Sequence, residues 1–536
     1  MKYRVFPILH VMGMLLVFFG ITYLMPIATS LIYDDGTVFE FLDALGFCLA
    51  AGVALWLPTR RYKRELQPRD GFLLVTLAWV FMAAIATVPL MLVIDDLSFT
   101  DAFFETMSGL TTTGATVLTG LDHLPPAINI WRHELNWLGG MGIIVLAVAI
   151  LPLLGVGGMQ LYKAETPGPM KDSKLTPRIA STAKALWLVY FGFTVACILC
   201  LRLAGMNWLD AICHAFAALS LGGFSTYDAS VGQFDSPVIE AVLIFFMMVA
   251  GINFATHFVA WRGKSLKAYW FDVEAKAFVA LIASSTVVCA TYLWAQQVYP
   301  EWLTALRHVA FNLVSIATDC GFASVDYDKW PIFVPLWMLF LSCISVCSGS
   351  TGGGIKMIRT LVLSQQALRE MEKLIHPAVV NPVRIGGVPI PQSITGAVLG
   401  FIFLYALTVG ELTFLLVASG LDFVSAFTAI IACINSAGPG LNVVGPAQNF
   451  QPLTDFQTWI CSLAMLAGRL EVFSLFVLFT PYFWRVELPC PGCPRLPRRV
   501  RRRVLQPEAP QRCPRWSEWT VLYRRRPRRP SPSRVT

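Results

Sequence analysis

Four times along this 536-residue chain, a short amphipathic stretch runs into a glycine-centred turn inside otherwise apolar sequence. The turns read Thr111-Thr112-Thr113-Gly114-Ala115, Ser220-Leu221-Gly222-Gly223-Phe224, Thr318-Asp319-Cys320-Gly321-Phe322 and Asn435-Ser436-Ala437-Gly438-Pro439. Two lead-ins match closely: Asp101-Ala102-Phe103-Phe104 starts thirteen residues before Gly114, and Asp210-Ala211-Ile212-Cys213 thirteen before Gly223. Non-helical backbone at membrane depth leaves carbonyls without internal partners, so it survives only where it is buried in protein or faces a wet cavity. Four such turns converging on one axis would make an ion selectivity filter. No other feature constrains the fold as much.

The setting for these turns is a membrane. The chain is 56% hydrophobic and 14% charged, with a mean hydropathy of +0.62, whereas soluble domains carry about 25% charged residues. The first apolar run, Val5 to Ile32 with Pro7 and Pro26 inside it, is long enough to span, and no cleavable signal is evident. The thirteen cysteines lie mostly in apolar stretches and suit buried packing better than disulfides. Cys197 and Cys200 fall inside a predicted span, and Cys490-Pro491-Gly492-Cys493 lacks a second ligand pair, so neither reads as a metal site. The net charge of +8 belongs to the tail: residues 486–536 hold fourteen Arg and three Glu, leaving the rest at about −3. That Pro/Arg-rich tail has no periodicity to build a core and reads as disordered. It would attract anionic lipid head groups or nucleic acid; Arg without a single Lys favours instead a frameshifted or read-through terminus, so no nucleic-acid partner is expected.

Hydropathy supports ten full spans and four shorter segments. The fold class is therefore an all-α polytopic membrane protein, with an N-terminal helical hairpin and four pseudo-repeated helix–pore-loop–helix units around one central pore. The predicted divisions are 1–70 (hairpin and basic loop), 71–182, 183–274, 275–392 and 393–485 (pore units one to four), and 486–536 (tail). The short segments, near 101–111, 209–219, 304–316 and 423–434, reach barely half of a ~30 Å hydrocarbon core at ~1.5 Å per residue, so each enters and leaves on one side. Lys2, Arg4, Arg60, Arg61, Lys63, Arg64, Arg69, Lys163, Lys171, Lys174, Arg178, Arg262, Lys264, Lys267, Arg359, Arg369, Lys373 and Arg384 all fall on one side. By the positive-inside rule that side is cytoplasmic, as is the N-terminus. The opposite loops carry Asp34, Asp35, Glu40, Asp95, Asp96, Asp122, Asp228, Asp235, Asp326, Asp328 and Asp455, an acidic outer face that would concentrate cations.

Glycine permits the unusual φ and close approach that each turn needs. The predicted cation-facing residues are Thr111, Thr112, Thr113 and Gly114; Ser220, Leu221, Gly222 and Gly223; Thr318, Asp319, Cys320 and Gly321; and Asn435, Ser436, Ala437 and Gly438. A second break, Cys347 to Lys356, contains Gly349, Gly352, Gly353 and Gly354; consecutive glycines disfavour helix by about 1 kcal/mol each. It lacks the spacing and the strand–helix flanks of a phosphate loop, so a gate beneath the filter is the better reading, with Lys356 at its cytoplasmic end. Arg469 lies in the last span, either as a cationic barrier or paired with Glu471 or a neighbouring carboxylate. His257, Glu134, Asn136 and Glu411 are also polar within spans, where bundle hydrogen bonding is expected. No nucleotide loop, metal-ligand cluster or nucleophile elbow occurs, and the cytoplasmic loops, at most roughly thirty residues, are too short for an ATPase domain. The chain does not read as an enzyme.

At these residues the chain resembles the TrkH/TrkG/KtrB family of potassium transporters. The matching pieces are Thr111-Thr112-Thr113-Gly114, Trp137-Leu138-Gly139-Gly140-Met141-Gly142-Ile143, Gly349-Ser350-Thr351-Gly352-Gly353-Gly354-Ile355-Lys356, Gly438-Pro439-Gly440-Leu441 and Gly468-Arg469-Leu470-Glu471. The resemblance covers about residues 1–485. It implies a homodimer in the bacterial inner membrane that takes up K⁺, with K⁺ bound in the filter and no nucleotide on this chain. It also implies peripheral cytoplasmic regulatory subunits of TrkA type, which bind NAD and ATP or ADP. Gly349–Lys356 would be the intramembrane gating loop, and Arg469 the positive residue narrowing the pore. Leu221, Asp319 and Cys320 depart from the family pattern, which bears on K⁺/Na⁺ selectivity, although coordination is through backbone carbonyls. Channel-like flux and coupling to H⁺ or Na⁺ both remain open. One alternative is the K⁺-binding subunit of a P-type pump, against which the initial hairpin and the Gly-Gly-Met-Gly run argue. Another is a non-transporting membrane tether acting through its basic tail.

Overall fold

A computed structural model describes residues 2–62, 68–142 and 179–484. Lys63, Arg64, Lys163, Lys171, Lys174, Arg178, Ile143, Cys490, Cys493 and the Arg-rich tail therefore lie outside the described residues. The chain is all-α, apart from a two-residue ribbon pairing Arg384–Ile385 with Val388–Pro389 among the described residues.

The N-terminal hairpin starts with Lys2–Phe19, passes through one 3₁₀ turn at Gly20–Tyr23 and continues as Leu24–Tyr33. Asp34, in the left-handed conformation, ends it, and Val38–Thr59 returns. The two arms touch through small residues: a Cβ on Gly13 would lie 2.7 Å from the Gly52 carbonyl oxygen, so only glycine allows this approach. Among the described residues, six helices are long and apolar enough to cross a membrane, including Asp70–Val93, Lys184–Leu203, Val273–Ala295 and Gln392–Ala418, the first helices of the four units.

Each of these four is followed by a short helix: Phe99–Leu110, Trp208–Ser220, Trp302–Ala317 and Phe423–Asn435. All four lie within two residues of the expected short segments. Three are started by a side-chain cap, with Ser98, Asn207 and Asp422 accepting from the amides of Asp101, Asp210 and Ser425.

The second long segment of each unit departs from the ten-span reading. Those helices, Pro126–Gly140, Pro237–Gly251, Phe333–Ile344 and Asp455–Arg469, all stop part-way across. Beyond Gly251 the chain turns by 96° into Phe254–Gly263, and beyond Arg469 by 104° into Phe473–Phe479. The described residues thus hold six uninterrupted spans, or eight counting each bent pair as one. The stops have a packing cause. Gly139 presses on the Leu110 carbonyl and Gly468 on the Ile434 carbonyl, so these helices end where they meet the ends of short helices. Hydropathy averages over such breaks because each holds only one polar residue, Asn253 or Glu471, beside apolar Ile252, Leu470 and Val472.

Candidate functional site

The C-termini of the four short helices meet. Each ends in the same motif: the amides of Thr113, Gly222, Cys320 and Ala437 bond back to carbonyls five residues earlier, at 2.8–2.9 Å. The residue before each amide is left-handed, and none of the four is glycine: Thr112 (φ 58°), Leu221 (56°), Asp319 (65°) and Ser436 (62°). Such a conformation costs a side-chain-bearing residue of order 1–3 kcal/mol, strain that gathers at functional sites. The glycine two positions on is left-handed again, at φ 79° for Gly114, 61° for Gly223, 95° for Gly321 and 84° for Gly438.

The turns close into a ring. A Cβ on Gly114 would strike the Gly222 carbonyl oxygen, and one on Gly223 the Cys320 carbonyl oxygen. One on Gly321 would lie 2.7 Å from the Ala437 oxygen, and one on Gly438 2.9 Å from the Thr113 oxygen. Each glycine therefore abuts the carbonyl just before the equivalent glycine of the next turn, and the fourth returns to the first. The hydroxyls of Thr111, Ser220 and Thr318 donate to their own helices at 2.7, 3.1 and 2.7 Å, so they do not compete for the turn carbonyls. Four helix C-termini, each with a partial negative charge, point into one small region and favour a cation there.

Each short helix also braces the outgoing leg of its own turn. Glu105 accepts from the Thr116 hydroxyl and the Val117 amide at 3.0 and 3.1 Å. His214 Nε2 and Ser225 Oγ are 3.1 Å apart, Asn312 Nδ2 donates to Ser324 Oγ at 2.9 Å, and Thr428 Oγ1 accepts from the Leu441 amide at 3.0 Å. These legs enclose a cavity of about 70 Å³ lined by Gly114, Gly223, Gly321 and Pro439, one residue from each turn. Several acidic residues expected to charge the outer face instead anchor loops. Asp228 accepts from the Gly120 and Leu121 amides, Asp328 from the Asn442 amide, and Asp235 pairs with Arg307 at 2.9 Å.

The residues that precede the glycines meet a second structure. Between Ile344 and Met357 the third unit is non-helical, and its glycines fit against the turn ends. A Cβ on Gly353 would strike the Asn435 carbonyl oxygen, and one on Gly352 would lie 2.9 Å from the Thr318 oxygen and 3.2 Å from an Asp319 carboxylate oxygen. The Thr351 hydroxyl donates to Leu219 at 3.1 Å. The loop is tied at both ends, by Cys347 N to Gly251 O at 3.0 Å and by Met357 N to Val346 O at 2.8 Å, while Glu274 receives the Ser348 amide and hydroxyl. Lys356 is buried and donates to the Gly352 carbonyl. Arg469 donates to the Thr112 hydroxyl at 3.3 Å, the Thr351 carbonyl at 3.2 Å and the Gly139 and Gly140 carbonyls. It thus joins turn, loop and helix break. Glu471 pairs with Arg359 at 2.8 Å.

The family model for TrkH, a cation transport protein, matches residues 38–485. The chain belongs to that family. It is 48% identical over 479 residues to the Trk system potassium uptake protein TrkH of Salmonella typhimurium, covering 89% of this chain and 99% of the relative. It is 37% identical over 479 residues to the Trk system potassium uptake protein TrkG of Escherichia coli K12, covering 89% and 98%. The crystal structure of the potassium transporter TrkH from Vibrio parahaemolyticus matches with a TM-score of 0.81 at 43% identity, over 90% of this chain and all of that one. This is a family of multi-pass membrane transport proteins, not of enzymes.

Within this TrkH-family fold, the structure brings all four predicted turns together and sets Gly349–Lys356 and Arg469 against them. Two side chains of these turns point away from the ring. Asn435 bonds with Tyr405 at 2.7 Å and Ser342 at 2.9 Å, and Asp319 is directed at the loop. His257 is hydrogen-bonded as expected, to Tyr269 and Val249. Asn136 is not: its amide lies against Gly222 without a partner among the described residues. Glu411 is exposed. Sequence reasoning missed the left-handed residue two before each glycine, and it missed Glu105 and Arg132, both charges inside apolar sequence.

Proposed function

We propose that this chain is the transmembrane pore subunit of a potassium uptake system in the bacterial inner membrane, with the glycine ring as its selectivity filter. The observation that carries this reading is the closed ring, in which four carbonyl-bearing turns abut in cyclic order at the ends of four inward-pointing helices. A K⁺ ion shedding water in the outer cavity meets carbonyls that replace its hydration shell, in a region already negative from the helix ends. Thr111–Gly114, Ser220–Gly223, Thr318–Gly321 and the Asn435–Gly438 segment supply the carbonyls. Leu221 and Asp319 serve through the backbone, their side chains being buried away from solvent.

On the far side, the Gly349–Lys356 loop is the gate and Arg469 a fixed positive charge that a permeating cation must pass. The four pore units fall at 71–182, 183–274, 275–392 and 393–485, and the Lys/Arg distribution puts the N-terminus in the cytoplasm. The relatives' system name and the family resemblance support a second copy of this chain and cytoplasmic nucleotide-binding subunits of TrkA type as partners. The nucleotide sits on those subunits, and K⁺ is the ion carried.

The test is K⁺ flux into liposomes holding the purified full-length protein, with and without its cytosolic partner, alongside growth of a K⁺-uptake-deficient bacterium at low K⁺. K⁺-selective flux and restored growth are expected. Well-folded protein that passes no K⁺ under either condition would sink the reading.

A further inference from the structure

One brace behind the ring differs in kind from the others. Glu105, on the first short helix, and Arg132, on Pro126–Gly140, form an ion pair at 2.7 Å with both side chains shut off from solvent. Glu105 also holds Thr116 and Val117, just past Gly114. Arg132 reaches in the other direction: it donates to the Ser225 carbonyl at 3.2 Å, and its guanidinium lies 4.4 Å from the centre of the Phe224 ring. Phe224 and Ser225 directly follow Gly223. It also donates to Asn129 at 3.4 Å and Thr116 at 3.3 Å. The pair therefore clamps the outgoing leg of the first turn to that of the second, whereas the short-helix braces from His214, Asn312 and Thr428 stay within one unit; farther along the same two legs, Asp228 also accepts from the Gly120 and Leu121 amides. Nine residues before the glycine, the position of Glu105 is held by His214, Asn312 and Ala429 in the other units.

Arg132 also lines the cavity above the ring. A buried pair is strongly bound only when its geometry is good and its remaining polar atoms are satisfied, and losing one partner strands the other charge. Here a stranded Arg132 would stand at the entrance of a cation path.

We propose that Glu105 and Arg132 are positioning residues that set ion selectivity. Their bridge fixes the distance between the first and second turns, hence the span between the Thr113 and Gly222 carbonyls, and Glu105 cancels the positive charge at the mouth. The inference rests on the reading of the ring as a K⁺ filter.

Separate K⁺ and Na⁺ fluxes in liposomes test it, using full-length protein whose folding is checked by gel filtration and thermal melting. Glu105→Gln strands the arginine, so K⁺ flux drops. In Glu105→Gln/Arg132→Gln the stranded charge is gone: flux rises above that of the single variant, while the K⁺/Na⁺ ratio stays about fivefold below wild type, the scale of one lost buried hydrogen bond. Two milder changes decide the matter should those variants fail to fold. Thr116→Val keeps the ion pair but removes the hydroxyl half of its link to the first turn, leaving only the Val117 amide, and Arg132→Lys keeps the charge but cannot span to Ser225; both lower the ratio. A wild-type ratio in folded Thr116→Val and Arg132→Lys overturns the proposal. A wild-type protein that carries no K⁺ fails the filter reading itself, a different outcome.

Discussion

The two faces of the ring are built on opposite rules. On the face that opens to the outer cavity, every unit repeats the same short helix, the same left-handed pair of residues and a brace to the outgoing leg. On the other face the units differ. Among the described residues, only the third supplies a glycine loop and only the fourth an arginine against it, and the second bends at Asn253, whose side chain lies against Gly349. On the filter and gate reading proposed above, the difference follows from what each face has to do. Replacing a hydration shell requires ligands from all sides at once, so symmetry cannot be relaxed in one unit. Blocking a path requires only one element across it, and that element must be free to differ from its neighbours.

The sharpest way to break this contrast is to add one carbon to the ring. Gly223→Ala places a Cβ onto the Cys320 carbonyl, which no rotamer change relieves. Strain of about 3 kcal/mol corresponds to a loss of about 100-fold, and K⁺ uptake in liposomes should fall by at least that factor. Gly120→Ala is the control: Gly120 is left-handed as well, at φ 67°, but nothing lies within 4 Å of its Cβ position. Uptake by Gly120→Ala should stay near wild type. Equal losses in both would mean that backbone strain, not ring geometry, is responsible.

The loop face should respond in the opposite direction. Gly353→Ala drives a Cβ into the Asn435 carbonyl, so the loop has to lift from the turns. Flux without the cytosolic partner should rise, by about tenfold if seating the loop is worth about 1.4 kcal/mol. Arg469→Gln removes the charge and its bonds to Thr112 and Thr351, and should raise flux by a smaller factor, about threefold, as an intramembrane barrier is lowered. A fall in flux in both folded variants would mean that loop and arginine support the ring rather than obstruct the path.

How far the sequence anticipated this division depends on whether the cause is local. The short helices were legible because their signals are local: an amphipathic dozen residues, a length too short to span, then glycine. The glycine loop was legible for the same reason. The stops at Gly140 and Arg469 were not, because a helix that ends against another helix's carbonyl carries no mark in an apolar run; nor was the stop at Gly251, which packs on the Phe278 ring. Thr112 and Leu221 in left-handed conformation were hidden too, since both prefer other backbone regions and are held there by the helix-end bonds. The Glu105–Arg132 pair had a visible sign, two opposite charges in one unit, but no indication that it bridges two turns.

The smallest expected effect concerns the junction where the N-terminal hairpin meets the first unit. Asp35 accepts from the Thr37 amide at 3.1 Å, the Thr37 hydroxyl at 2.9 Å, the Ser30 hydroxyl and, across to the first unit, the Ala127 amide at 2.9 Å. Burial alone would raise its pKa, but these hydrogen bonds outweigh it and hold the carboxylate below its ordinary value of 3.8. A carboxyl depressed in the folded state stabilises fully above its unfolded pKa and loses that contribution as pH falls through the folded one. The stability of wild type should therefore decline as the outer pH drops below about 4, whereas Asp35→Asn is slightly less stable at neutral pH and flatter with acid. Melting curves of both proteins from pH 7 to pH 3 test this. Parallel curves would mean that the hairpin is held by its helix contacts alone, and that the Asp35 hydrogen bonds add nothing to it.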